Sequence, residues 1–461
     1  MDEDNHSDKA SDENEGEIAK VFYKVNNDSE ELISGSRLHN VDEPAIIELG
    51  GQPQLGGLTI FTAAVFVVGE MAGSGVLALP SAMVAAGPMG FVMLLIGCLA
   101  SGYCGVILGR SWTILRAKYP EYQHSVRDPY PTIGLKAVGK WGARAVSVCV
   151  NITLIGVCTV FLILAAQNIS KLLTTHIHDV WFDQHSLRVW ILICAAVLLP
   201  VSWLGTPKEF WGIAIGASLA TALACLLICV CIGIDFPSNL QTVKQGPVTF
   251  LSFFSAFGTI LFSFGGASTF PTIQTDMKQP SKFPMSVVWS YVGVLFMYLP
   301  VSILGFLAYG GDIKDNILLS VSHTSSHPRA IIVDIVLVLI TTHLLFSFVI
   351  VLNPVSQYFE EFFNIPRRFG FKRCLLRTII MALVLGIAEL IPNFGPILSL
   401  IGGSTVTLLT FVFPCWFYLK IAKDLPLHTK AVLFELIFIG IVGGVASTYS
   451  AIDSIQKAFK L

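Results

Sequence analysis

Apolar runs of roughly 18 residues or more recur along this chain, and nothing else in it restricts folding as strongly. Inside hydrocarbon a backbone N–H or C=O cannot be left unpaired, so a crossing segment is either a helix or a strand of a closed barrel. Barrel strands alternate apolar and polar residues, and these runs do not. Eleven spans are predicted, at approximately 58–85, 89–110, 145–170, 188–204, 211–232, 249–274, 286–309, 330–352, 375–392, 396–419 and 431–451. The fourth and ninth are short. Composition agrees: charged residues are 13% of the chain, against about 25% in soluble domains. The expected class is an all-α, polytopic protein whose solvent is the lipid bilayer. No composition or motif points to nucleic acid.

Charge is divided unevenly. Residues 1–57 carry 14 Asp/Glu and 4 Lys/Arg. Such a segment cannot bury enough apolar surface to fold alone, so it reads as an acidic, disordered tail. It contains no apolar stretch of the kind a cleavable signal needs. With the tail in the cytosol, inside loops hold 18 Lys/Arg and outside loops hold 7. That bias predicts a cytosolic N-terminus and a luminal or extracellular C-terminus. The inside loop at 111–143 reads as an ordered connector. The tail also contains Asp28-Ser29-Glu30-Glu31-Leu32-Ile33, an acidic dileucine pattern that sorting adaptors could read. It favours a lysosomal or vesicular address, with the plasma membrane as the alternative. The ten cysteines include no CxxC pair, and nine lie in apolar segments, so they read as small buried hydrophobes. No metal site, cofactor site or nucleophile–base pair is predicted, which argues against an enzyme.

Two spans are interrupted in the middle. Span 1 reads Val68-Gly69-Glu70-Met71-Ala72-Gly73-Ser74-Gly75-Val76-Leu77-Ala78-Leu79-Pro80. Span 6 reads Phe262-Ser263-Phe264-Gly265-Gly266-Ala267-Ser268-Thr269-Phe270-Pro271. One glycine patch could simply let helices approach closely. Two patches, each in the first span of a five-span unit, predict an inverted repeat with discontinuous helices. The units are 58–232 and 249–419, with span 11 (431–451) appended. A break frees N–H groups at the start of the following half-helix, which suit a carboxylate. It also frees carbonyls at the end of the preceding half-helix, which suit an ammonium group or a cation. A zwitterionic amino acid carries both charges close together. An anion or a sugar could use part of the same site, so spacing alone leaves the solute open.

At these residues the chain resembles the amino acid/auxin permease family, a branch of the transporters with the leucine-transporter (LeuT) fold. The resemblance rests on Gly73 through Pro80 and on Phe264 through Lys278. Asn353-Pro354 and Ile391-Pro392-Asn393-Phe394-Gly395 leading into Gly402-Gly403-Ser404 add to it. It covers about residues 55–455 and is strongest toward invertebrate and fungal vesicular or proton-coupled amino acid transporters. It implies eleven helices in a five-plus-five arrangement, a midplane amino acid site and secondary active transport. Two departures are visible. Several relatives have His after the span-6 glycine pair, where this chain has Ala267. Sodium-coupled members often have Asn in span 1, where this chain has Gly69 followed by Glu70.

The expected solute contacts are backbone N–H groups at Gly73, Ser74 and Gly75 and carbonyls at Phe264, Gly265 and Gly266, with Phe270 contacting the solute's side chain. Gly75→Val is expected to abolish uptake without loss of membrane expression. For the coupling ion, Glu70 is the proton candidate, because an ionisable group at membrane depth is costly unless used. A structural carboxylate, paired with a basic group or freed N–H groups, is the alternative. Thr341 and Thr342 are the hydroxyls that could hold sodium. His343 beside them reads either as a site residue or as a histidine bonded to a neighbouring helix. Asn151 faces either a neighbour or the site. The leading function is a proton-coupled carrier of small amino acids. A sodium-coupled or uncoupled carrier, or an amino acid sensor signalling through the tail, are the alternatives.

Overall fold

The computed structural model describes residues 57–123, 126–176, 187–204, 210–239, 243–321, 327–366 and 368–459. The acidic tail and its dileucine pattern lie outside the described residues. What is described is almost wholly helical, with one isolated backbone bridge, Leu58 to Met277, in place of any sheet.

Span 1 is two helices, α1 (Ile60–Met71) and α2 (Ser74–Ala86), bent by 59° at the join. Span 2 is α3 (Met89–Lys118), followed by the short connector helix α4 (Pro129–Val138). Spans 3, 4 and 5 are α5 (Lys140–His176), α6 (Leu187–Trp203) and α7 (Phe210–Asn239). Span 6 is again two pieces, α8 (Phe250–Ser263) and α9 (Phe270–Thr275). Span 7 is α10 (Phe283–Tyr309), and a hairpin bearing α11 (Ile317–Ser320) leads to span 8, α12 (His327–Phe362). Spans 9 to 11 are α13 (Phe371–Leu390), α14 (Phe394–Ile401) continuing into α15 (Phe413–Ile421), and α16 (Leu427–Phe459).

Among the described residues seven helices are long and apolar enough to cross a membrane alone, and the bent pair α1–α2 makes an eighth. The other three predicted spans, α6, α8–α9 and α13, are shorter or more polar. They are the segments whose backbone is broken or whose ends carry charge, and the arrangement is consistent with eleven crossings. The tenth cysteine, Cys374, which the sequence places outside the apolar segments in a basic loop, is in the first turn of α13.

The interrupted helices lie at the centre. Helix α2 packs along α8, and α1 packs against α9 and α10. Close approach of α8 to span 10 depends on missing side chains: a Cβ on Gly402 would lie 1.9 Å from the Gly258 carbonyl oxygen. Small residues at such crossings are how membrane helices bring their backbones together. Between α14 and α15 the helix widens into two π turns, Gly402–Val406 and Leu408–Val412. The Thr407 hydroxyl donates to the Gly402 carbonyl at 2.6 Å, and Tyr130 of α4 donates to the Leu409 carbonyl at 2.5 Å.

At the end that bears Gly57, α6, α12 and α13 are joined by a buried ion network. Arg377 donates to Glu360 at 2.6 Å, to the Ser202 carbonyl at 2.7 Å and to Asn353 Oδ1 at 3.0 Å. Arg373 reaches the same Glu360 oxygen at 3.0 Å. A charge this deep is tolerated only because its donors are satisfied.

Candidate functional site

The break in span 1 follows from local backbone geometry. The Ala72 N–H still bonds the Val68 carbonyl at 2.7 Å, but Ala72 then turns to ψ 82° and Gly73 to φ −140°, ψ −121°. Helix α2 restarts at Ser74 with no side chain capping it. Among the described residues nothing accepts from the N–H groups of Ser74 or Gly75. Two of the three expected carboxylate contacts, Ser74 and Gly75, therefore sit at an open helix start carrying the positive end of the dipole, whereas the Gly73 N–H is taken by the Met71 carbonyl at 3.0 Å.

They are not equivalent in their surroundings. A Cβ on Gly75 would lie 2.7–2.8 Å from Ser263, its Cα included, so Gly75 is where α2 and α8 touch. A Cβ on Gly73 would meet His343 Nε2 at 3.5 Å and the Phe161 ring at 3.9 Å, which are ordinary contacts. Gly73 thus faces His343 of α12 and Phe161 of α5 without crowding either. The expected result for Gly75→Val is corrected by this: a valine there collides with the α8 backbone and would disturb packing as well as binding.

Span 6 loses its helix after Ser263. The Gly265 N–H turns back to the Phe262 carbonyl at 2.9 Å. The Gly266 carbonyl is occupied, by the Thr269 N–H at 3.1 Å and the Thr269 hydroxyl at 3.0 Å. The Phe264 carbonyl has a long contact, 3.4 Å, from the Tyr291 hydroxyl. Gly265 is the only one of the three expected carbonyls to which no described group donates. Phe270 is fully buried, edge-on to Phe283 and Tyr291 and against Gly105 of α3. Its ring also borders the break, since a Cβ on Gly266 would lie 3.1 Å from it.

One hydroxyl joins the two breaks. Tyr298 of α10 lies 2.7 Å from the Met71 carbonyl at the end of α1 and 3.0 Å from the Ser263 carbonyl at the end of α8, within donating distance of both. Below the break, α9 is fixed to α3: Gln274 donates to the Gly109 carbonyl at 3.1 Å and to Thr113 at 2.8 Å, and Trp112 donates to Thr275 at 2.9 Å. Leu58 pairs with both sides of Met277, at 2.7 Å and 2.9 Å. The half-helices α1 and α9 are therefore tied at their outer ends.

Glu70 lies in the last turn of α1, ringed by protein yet accessible. Among the described residues no hydrogen bond or ion pair reaches its carboxylate. The structural pairing weighed as its alternative role is absent from that set. Thr341 is buried, but Thr342 is on the exposed face of α12 and is not brought to the break. His343, between that face and the core, is 4% exposed and points its Nε2 at Gly73. Asn151 of α5 donates to its own helix at Ser147, 2.8 Å away, and lines a vestibule.

That vestibule, of about 100 Å³, opens at the end bearing Gly57 and is walled by Asn151, Ser268, Thr272 and Tyr358. A second cavity of about 270 Å³ adjoins it, and Arg127 borders both. Arg127 forms an ion pair with Glu361 there. Asp128, at the vestibule rim, is pushed above the usual carboxylate range by desolvation, with Arg127 working against the shift. The opposite end is covered. Lys171 donates to the Leu318 and Val321 carbonyls, and Asn316 donates to Asn168 at 3.2 Å. The α11 hairpin is thereby seated over α2 and α5.

A helical membrane protein with paired broken helices, open N–H groups at one and a vestibule at one end has the build of a transport protein. The family model described as "Transmembrane amino acid transporter protein" matches residues 56–456, and the chain belongs to that family. Among curated relatives, amino acid transporter AVT1E of Arabidopsis thaliana is 26% identical over 84% of this chain and 71% of its own length. Amino acid transporter AVT1J of the same plant is 26% identical over 85% and 90%. Two solved structures share the fold. One is MhsT in complex with L-phenylalanine, with TM-score 0.52 and 13% identity over 86% of this chain and all of that one. The other is a Na+-coupled sialic acid symporter, with TM-score 0.52 and 11% identity over 90% and 95%. The expected LeuT-type architecture and amino acid/auxin permease membership are thereby met.

Proposed function

We propose that this chain is a secondary active transporter that moves small amino acids by alternating access, with a proton as the coupling ion. The observation that carries the proton assignment is Glu70: an accessible carboxylate one turn before the break, with no partner among the described residues. A permanent charge at that depth is costly, so a carboxyl that can take up a proton fits better than a fixed anion. In this reading the solute carboxylate rests on the N–H groups of Ser74 and Gly75 beside Gly73, and its ammonium group on the Gly265 carbonyl. The exposed position of Thr342 leaves the hydroxyl pair for sodium incomplete. With the tail cytosolic, the vestibule at the Gly57 end opens inward and the α11 hairpin closes the luminal or extracellular side.

The test is flux of labelled amino acids into proteoliposomes with and without a pH gradient. Wild type should accumulate solute only with the gradient, and Glu70→Gln should lose accumulation while retaining exchange. Wild-type pH dependence in Glu70→Gln would sink the assignment and return attention to Thr341 and sodium. Gradient-independent binding without flux would favour a sensor. A lysosomal or vesicular address is part of the same proposal: replacing Leu32 and Ile33 by Ala should move the protein to the cell surface.

A further inference from the structure

His343 has hydrogen-bonding capacity that the fold leaves unused. It is buried, its Nδ1 has no partner, and its Nε2 has only the Ser347 hydroxyl at a marginal 3.5 Å. Buried polar atoms are nearly always bonded, so an exception needs a reason, and a ligand absent from the structure is one. Place supplies the second observation. Nε2 points at the spot where Gly73 lacks a side chain, 3.5 Å from an added Cβ, and the Phe161 ring closes the same spot at 3.9 Å. Immediately beyond is the uncapped start of the thirteen-residue α2.

We propose that His343 is a binding residue for the transported amino acid, its imidazole hydrogen-bonding the carboxylate that the first N–H groups of α2 also hold. This rests on the transport reading and adds a side-chain contact to a site so far built from backbone. A carboxylate only accepts, so the neutral imidazole serves here with its proton on Nε2, the nitrogen that faces Gly73, and Nδ1 as the acceptor. The alternative, a histidine serving only to join helices, would require a bond to another helix. Among the described residues His343 makes none: its single contact, Ser347, is on its own helix. Phe161 opposite limits the space, which matches a small solute.

The experiment uses the full-length protein and, of the twenty proteinogenic amino acids, the one that wild type transports fastest. His343→Leu should raise KM roughly ten- to hundredfold, the range expected for losing a hydrogen bond to a charged group. It should also abolish the rise in melting temperature that this amino acid gives wild type. His343→Gln, which keeps a donor and an acceptor, should recover part of the affinity. Should His343→Leu fail to fold, carbethoxylation of His343 in wild type, read by peptide mass spectrometry, decides: the amino acid should slow it. An unchanged KM in His343→Leu, or modification of His343 at the same rate with and without solute, overturns the proposal while leaving transport intact. Absence of wild-type flux for all twenty would instead overturn the transport reading itself.

Discussion

Two glycines at the span-1 break, Gly73 and Gly75, look alike in sequence but differ in what surrounds them, and that difference gives a clean prediction. Gly73→Ala adds a methyl group at ordinary contact distance, so it should fold like wild type and lose uptake by narrowing the space before His343. Gly75→Ala drives its Cβ to within 2.8 Å of the Ser263 backbone, and overpacking of that kind costs about 1–3 kcal/mol. Thermal unfolding in detergent, measured beside uptake, separates them: Gly73→Ala should fail in transport alone and Gly75→Ala in both. Equal melting temperatures for the two variants would contradict the geometry. Glycine type and spacing were enough to locate the break. They could not say which glycine has room for a methyl group, because that depends on Ser263 and His343, which come from other helices.

At the scale of elements, the sequence showed the breaks but not what holds them together. Gly73-Ser74-Gly75 and Gly265-Gly266 mark themselves, since repeated glycine is rare in a long apolar helix without a packing or functional reason. Tyr298 left no such mark. It is one aromatic in an apolar span, and its two partners, Met71 and Ser263, are 227 and 35 positions away. Gln274, inside the resemblance but assigned no role, fixes α9 through α3 for the same non-local reason. The packing of Phe270 was likewise hidden, because the slot that receives its ring is Gly105, on another helix. Tyr298→Phe removes the shared hydroxyl and keeps the ring against Phe264. The net loss should be about 1 kcal/mol of stability. The larger effect should be on turnover, since the ends of α1 and α8 are no longer held in register. Uptake kinetics should show kcat falling severalfold with KM within about twofold. A raised KM at unchanged kcat would place Tyr298 in binding instead.

For the whole molecule, alternating access requires contacts at one end weak enough to exchange with contacts at the other. Two ion pairs at the Gly57 end contrast in this respect. Arg377 and Glu360 are 2% and 4% exposed, and breaking such a pair leaves an unpaired buried charge at about 3–5 kcal/mol. That cost suits a scaffold joining α6, α12 and α13, not a moving part. Arg127 and Glu361 are 36% and 64% exposed, and a pair in such surroundings contributes about 0.2–1 kcal/mol. It stands where the vestibule meets the outer cavity, and it can open at low cost. Glu361→Gln should therefore bias the carrier toward the state open at this end, by no more than about fivefold, since 1.4 kcal/mol corresponds to a factor of ten. Exchange of internal for external solute, which needs only loaded carriers, should persist. Net uptake, which also needs the empty carrier to return, should fall by up to that factor. Exchanging the two charges, Arg127→Glu with Glu361→Arg, should restore net uptake. Complete loss of both activities in Glu361→Gln, with the protein unfolded, would mean that this pair belongs to the scaffold and that the moving contact lies elsewhere.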